Sequence, residues 1–489
     1  MAGVSVENNA IFYNKNVVYF FIVLVFATFV RFILPYDFPP GFAGHAIAHS
    51  HQSLEFRDAI SQTLSTGSAD WPSVVVQFGL MSFFHGVVFY IFGQGIWQSM
   101  LPAQLFGVGS AICSYLFGKR VGGIKFGLLL GLSVAASPWN IAFSRYGDAE
   151  HALPVFHFWA VACSIVHVRG LLTAALAGLI VAGSWYVYAT NQILPMILLI
   201  TFFIVSPKIS RKKYLGFCIS FLIFSAPAII PSWRDGFYYP IRSTLPDNSN
   251  YQIVSVSQLL ENSAGIFSQL FLNSSDAWYT NSLGGFGIFG NILIFFGVAS
   301  GLHKFYKTQS LTTLIPFLVF SLGIIPAVIA NEVSFRRGLV SGSTLLYFQA
   351  IGALFLMKKF KVFCVITYLI ACYGVYMYFF ETSQPESSAG RGRTIFINEV
   401  LGFTGKQRLV FTQSDDIYQF KDFFRFMTSE DPESRGISLE VVSPDSCRCT
   451  NERRVLYYLD AAQLSMCCSL NQCSNYSERN FSYYIMSCK

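Results

Sequence analysis

Thirty-five consecutive residues, Leu171 to Val205, contain no Asp, Glu, Lys or Arg. As a single helix rising 1.5 Å per residue they would measure about 52 Å, against a hydrocarbon core of about 30 Å. The stretch therefore reads as two membrane spans, turning near GSWYVYATNQ (residues 183–192). The rest of the chain agrees: 53% of residues are hydrophobic, 12% are charged and the mean hydropathy is +0.49, which leaves too little polar surface to cover a soluble globule. The expected class is an α-helical polytopic membrane protein. No cleavable signal peptide is read at the start, because the run from Val17 to Leu34 lacks a small-residue cleavage site and is long enough to anchor.

Loop charges set the orientation. Five short connections are basic and free of acids: Lys119, Arg120 and Lys125; Arg169; Lys208, Arg211, Lys212 and Lys213; Lys304 and Lys307; Lys358, Lys359 and Lys361. The alternate connections carry the acids, among them Asp37, Glu55, Asp58, Asp70, Asp148, Glu150, Asp235, Asp276 and Glu332. The positive-inside rule makes the first set cytoplasmic and the second external. The alternation holds only if Val74 to Phe92 lies along or dips into the outer leaflet rather than spanning. About 11 spans follow, near 17–35, 98–118, 124–143, 151–168, 171–188, 191–206, 213–231, 284–302, 311–330, 338–357 and 362–380. This puts the N-terminus inside and the C-terminus outside, with external loops at about 36–97 and 232–283.

Composition shifts at TSQPESSAGRGR, residues 382–393, a Ser/Gly-rich linker between a membrane domain (1–381) and a small α/β extracytoplasmic domain (394–489). Strand-like runs RLVFTQ, ISLEVVS, RVLYYLD and FSYYIMS alternate there with the more helical DIYQFKDFFRFM. Six cysteines fall in this tail, Cys447, Cys449, Cys467, Cys468, Cys473 and Cys488. An even cluster in an external domain reads as a disulfide framework. A zinc site is the rival, without a CxxC pair or a tail histidine to favour it.

Five segments in order carry a resemblance: FPPGFAGHA, MLPAQLFGV, SPWNIAFSRYG, WYVYATNQILP and NEVSFRRGLVSG. Together they look like the signatures of the GT-C membrane glycosyltransferases, nearest to the protein O-mannosyltransferases and the lipid A aminoarabinose transferase, over residues 17–380. The resemblance implies transfer of a sugar from a polyprenyl-phosphate carrier to a lipid, glycan or protein acceptor at the outer face of a bilayer. It also implies a base near the first external loop, cationic groups for the departing phosphate and a pocket open to lipid. No nucleic-acid partner is expected. No cofactor is required either, although a divalent metal is compatible.

The family supplies its base as the Asp of an Asp-Glu pair shortly after PPG, and here those positions hold His45 and Ala46. A neutral imidazole can serve as a general base near pH 7, but it cannot present a fixed negative charge to an oxocarbenium-like transition state. The candidate catalytic groups are therefore His45, Asp148 and Glu150, with Asp37, Glu55 and Asp58 as other acids within the outer loops. An arginine near hydrocarbon usually faces a cavity, a headgroup or an anion, which singles out Arg145, Arg336 and Arg337, and the resemblance implies that Arg145 and one of the pair contact the donor phosphate. Tyr186, Tyr188 and His49 are candidate pocket residues, with the interfacial aromatic belt as the alternative for the tyrosines. The trio His45, His49 and His51 spells HxxxHxH, and on one helix His51 would point about 200° from His49, so no metal site is assigned.

Two classes of function remain open: a transferase with a modified active site, and a GT-C-like non-enzyme that binds lipid-linked glycan or scaffolds an assembly. A transporter ranks third, since the spans read as nearly free of buried charge. A bacterial inner membrane is favoured over the endoplasmic reticulum.

Overall fold

The computed structural model describes residues 5–32, 44–68, 79–145, 149–187, 189–198, 211–234, 255–272, 274–276, 279–281, 286–329, 335–360, 362–377, 382–383, 407–411, 437–441, 455–460, 474–476 and 483–487. Helix dominates up to residue 377. In chain order the helices are α1 (Ser5–Phe32), α2 (Gly44–Thr66), α3 (Gly79–Phe92), α4 (Ile96–Gly122), α5 (Ile124–Ala136), α6 (Pro138–Arg145), α7 (Ala149–Val166), α8 (Leu171–Ala182), α9 (Arg211–Arg234), α10 (Val256–Phe271), α11 (Gly287–Thr308), α12 (Ile315–Gly323), α13 (Ile325–Val328), α14 (Leu339–Phe360) and α15 (Phe363–Tyr376). The uncharged stretch breaks where its length demands: α8 ends at Ala182, 3-10 turns cover Gly183–Tyr186 and Ala189–Gln192, and residues 193–198 are helical again.

Among the described residues four segments are long and apolar enough to cross a bilayer: Trp97–Gly122, Gly287–Thr308, Leu311–Val328 and Leu339–Phe360. A fifth is the pair α5–α6, bent by 55°. The single span expected near 124–143 falls on this bent pair, and Pro138 explains the bend. Ser137 takes the extended conformation (φ −61°, ψ 120°) imposed before a proline, and Pro138 then opens α6 where its missing N–H costs nothing. Of the segment Val74 to Phe92, residues 79–92 are described, as the 14-residue α3.

The core is built around α5. Every residue from Phe126 to Ala136 is buried, so this helix is apolar on all sides and has no lipid-facing stripe. Against it pack α1, α4, α14 and α15, and α7 on α4 and α11 on α14 extend the same cluster, with Val23, Ala111, Trp159, Leu293, Phe348 and Ile370 among its members. Where α11 crosses α14, glycines bring backbone against backbone. A Cβ at Gly297 would meet the Phe348 carbonyl, and one at Gly352 would meet the Leu293 carbonyl. Small residues are how membrane helices approach this closely when lipid offers no hydrophobic drive. The outward faces are apolar, with Leu172, Leu222, Ile223 and Phe295 all exposed.

Outside the helices, β1 (Ser274–Asp276), β2 (Tyr279–Asn281) and β3 (Thr382–Ser383) form a small antiparallel sheet. The first two residues of the expected linker are thus strand, paired with a loop a hundred residues earlier. In the tail, β4 (Gln407–Phe411), β5 (Ile437–Val441), β6 (Val455–Asp460), β7 (Ser474–Tyr476) and β8 (Tyr483–Ser487) form a mixed sheet in the order β5-β4-β6-β8-β7. β4 is parallel to both β5 and β6, while β8 is antiparallel to β6 and β7. The four strand-like runs read from sequence fall on β4, β5, β6 and β8; β7 went unread, and the segment read as helical lies outside the described residues. The six tail cysteines also lie outside them. Cys113, Cys163, Cys218 and Cys372 are free thiols.

Candidate functional site

Two arginines lie buried where α1, α5 and α6 end. Arg31, in the last turn of α1, is fully buried, and Arg145, the last residue of α6, is 1% exposed. This corrects the expectation of spans nearly free of buried charge. Arg31 Nη1 donates to the Ala135 carbonyl at 3.0 Å and to the Ala27 carbonyl at 3.3 Å. Arg145 Nη1 donates to the Val30 carbonyl at 2.8 Å.

The acceptors explain why the charges are tolerated here. Ala135 and Val30 lie in the last turns of α5 and α1, where carbonyls have no intrahelical partner and the helix dipole presents its negative end. Asn140 completes the pattern, its amide nitrogen donating to Val134 at 2.9 Å, so side chains satisfy two of the carbonyls that the bend at Ser137 frees. Arg31 Nε and Nη2 have no hydrogen-bond partner, nor do the Gln104 amide atoms or Asn140 Oδ1. The arginine stem lies against Gly107 of α4, where a Cβ would meet Arg31 Nε and Cδ and Ser144 Cβ.

A second polar knot holds the next turn. His157 Nε2 lies 2.7 Å from the Ile180 carbonyl, so that nitrogen carries the proton. Nδ1 is then the acceptor for the Asn191 amide at 3.3 Å, and the same amide nitrogen reaches the Pro154 carbonyl at 3.0 Å. Through it the 3-10 turn Ala189–Gln192 is pinned to α7 and α8. Leu194 and Ile197 in turn pack against Val340 of α14. Residues of the segments quoted from the sequence thereby meet: Gly107 and Ser144 beside Arg31, Arg145 on the neighbouring Val30 carbonyl, Asn191 on α7, and Leu194 against Val340.

His45, His49 and His51 all lie on α2, which continues unbroken to Thr66, so the bend that would bring His51 round to the other two is missing. Their side chains lie outside the described residues. Glu55 and Asp58 are exposed on the same helix, and Asp58 pairs with Arg57 at 2.7 Å. Asp37, Asp148 and Tyr188 lie outside the described residues, as do the side chains of Glu150 and Arg336. Arg337 is half-buried in the 3-10 turn Phe335–Gly338 that leads into α14. The Tyr186 hydroxyl donates to the Phe224 carbonyl of α9 at 3.0 Å, a tie between helices. Among the described residues no three His, Cys, Asp or Glu side chains gather as a metal site would require.

Sequence reasoning missed Arg31, Gln104, Asn140, His157 and Asn191. A charge within an apolar run was the available signal for Arg31. Asn140, His157 and Asn191 bond backbone carbonyls, which leave no trace in sequence, and the Gln104 amide has no partner at all.

This architecture is GT-C-like, the fold of a class of membrane glycosyltransferases. Among solved structures, ArnT from Cupriavidus metallidurans in the apo state superposes with a TM-score of 0.57 at 12% identity, covering 96% of this chain and 97% of that one. The same protein bound to undecaprenyl phosphate gives a TM-score of 0.50 at 12% identity, with 99% and 98% covered. The archaeal oligosaccharyltransferase AglB from Archaeoglobus fulgidus, in complex with an inhibitory peptide and a dolichol-phosphate, gives 0.52 at 12% identity, covering 88% of this chain and 64% of that one. No protein-family profile matches the sequence, and no curated protein matches it.

Proposed function

We propose that this protein is a membrane glycosyltransferase that moves a sugar from a polyprenyl-phosphate donor to a lipid, glycan or protein acceptor on the extracytoplasmic face. The observation that carries the reading is the pair of buried arginines, Arg31 and Arg145, at the ends of α1, α5 and α6, in a fold shared with an undecaprenyl-phosphate-bound protein. In this reading Arg145, with Arg336 or Arg337, holds the departing phosphate. His45 takes the acceptor proton, while Asp148 or Glu150 supplies the negative charge opposite the sugar. Tyr186, Tyr188 and His49 line the approach. The chain crosses the membrane 11 times with the N-terminus cytoplasmic, in a bacterial inner membrane. The α/β tail, 394–489, stands outside with its six cysteines paired; mass spectrometry of non-reduced tail peptides is expected to find at least two disulfides.

The test is sugar transfer from a polyprenyl-phosphate donor by the purified full-length chain. His45→Ala is expected to lower transfer by ~10² or more with donor binding little changed, the size of a general-base contribution. His45→Asp restores the family residue and is expected to keep activity. Full transfer by His45→Ala would move the base to an acid, with Asp148→Asn as the next variant.

One observation favours a second reading. His45 and Ala46 replace the acidic pair, so a protein that binds the lipid-linked sugar without turning it over fits the same fold. Binding of the carrier without transfer by wild type or variants would select it.

A further inference from the structure

We infer that Arg31 is a positioning residue for the donor site: by tying the end of α5 to α1, it fixes the bend from which α6 carries Arg145. The inference rests on the donor-phosphate role proposed for Arg145.

The two arginines brace the same joint in opposite directions. Arg31 reaches from α1 to the Ala135 carbonyl, two residues before the break at Ser137. Arg145 reaches back from the end of α6 to the Val30 carbonyl, one residue before Arg31. The 55° angle between α5 and α6 is thus closed at both ends by guanidinium-to-carbonyl bonds. α6 is only eight residues long, so a change in the bend is felt directly at its last residue.

Packing alone does not call for a charge at this place. A Met or Leu would fill the same volume without desolvating a guanidinium, and a buried ion is costly wherever its partners are incomplete. Arg31 retains two unpartnered nitrogens, and among the described residues no acid lies within ion-pair distance of it. α4 also leaves room for it, because any side chain at Gly107 would strike both Arg31 and Ser144. A charged side chain and a matching gap on another helix together point to the geometry at the bend, which an apolar filler would leave unfixed.

The experiment is a binding titration of polyprenyl phosphate to the full-length protein in nanodiscs, with inorganic phosphate as the water-soluble control. The proteins are wild type, Arg31→Lys, Arg31→Met, Arg145→Met, Arg31→Met/Arg145→Met and Gly107→Ala. Arg145→Met is expected to weaken binding at least tenfold. Arg31→Met should weaken it to a similar degree, and the double variant should be no weaker than Arg145→Met within about threefold, because both changes remove the same contact. Arg31→Lys keeps a donor for one carbonyl and should recover most of the affinity. Gly107→Ala keeps the charge but displaces it, and should behave as Arg31→Met does. Losses that multiply in the double variant, or lowered thermal stability with unchanged affinity, would reduce Arg31 to a structural residue and overturn the inference. If Arg31→Met does not fold, Arg31→Lys and Gly107→Ala decide: wild-type affinity in both overturns it. A wild type that binds no polyprenyl phosphate would instead sink the donor reading itself.

Discussion

The α1–α5–α6 joint and the α11–α14 crossing face the same problem, bringing helices together in a medium where lipid is as apolar as the side chains, and they solve it in opposite ways. At the crossing the helices meet through Gly297 and Gly352, backbone against backbone, and the neighbouring contacts are apolar, such as stacked Phe296 and Phe355. At the joint they meet through two guanidinium groups and an asparagine amide on carbonyls. The glycine seam holds its helices without a charge. The joint carries a charge that packing could do without, and such a choice within a membrane protein points to function.

Arg145→Met should separate the two regions most sharply. Transfer is expected to fall by about 10² to 10³, the usual effect of removing one donor that stabilises developing charge, as measured by initial rates at saturating acceptor. The glycine seam should give the reverse pattern. Gly352→Ala places a methyl on the Leu293 carbonyl, and an overpacking cost of about 1–3 kcal/mol is expected in thermal unfolding, with the donor affinity of the folded fraction unchanged. Loss of donor affinity there would erase the contrast. The smallest effect belongs to neither region: Asp58→Ala removes the exposed partner of Arg57 on α2 and leaves the Arg57 bond to Gln94 in place, and its stability change should stay within about 1 kcal/mol.

The helical membrane class was legible because hydropathy is a direct consequence of the bilayer. The break within Leu171–Val205 followed from length alone, and the bend at Ser137 was written in Pro138 but passed over inside a long apolar run. The site was less legible. Arg145 stood out beside Asp148 and Glu150, whereas Arg31 lay hidden among Phe and Val residues that a hydropathy window averages over. Gly107 reads as one more small residue until the arginine against it is seen. His157 and Asn191 are 34 residues apart and meet only because α7 and the turn after α8 fold back on each other.

The central claim is that the arginine joint marks where the carrier's phosphate binds, and a structure of the full-length protein with polyprenyl phosphate in nanodiscs tests it most directly. The account predicts phosphate density beside the ends of α1 and α6, within about 3 Å of the Arg145 guanidinium, with the prenyl chain leading away into lipid. Phosphate bound instead at the opposite end of α4, near Lys119 and Arg120, with the joint unoccupied, would contradict it.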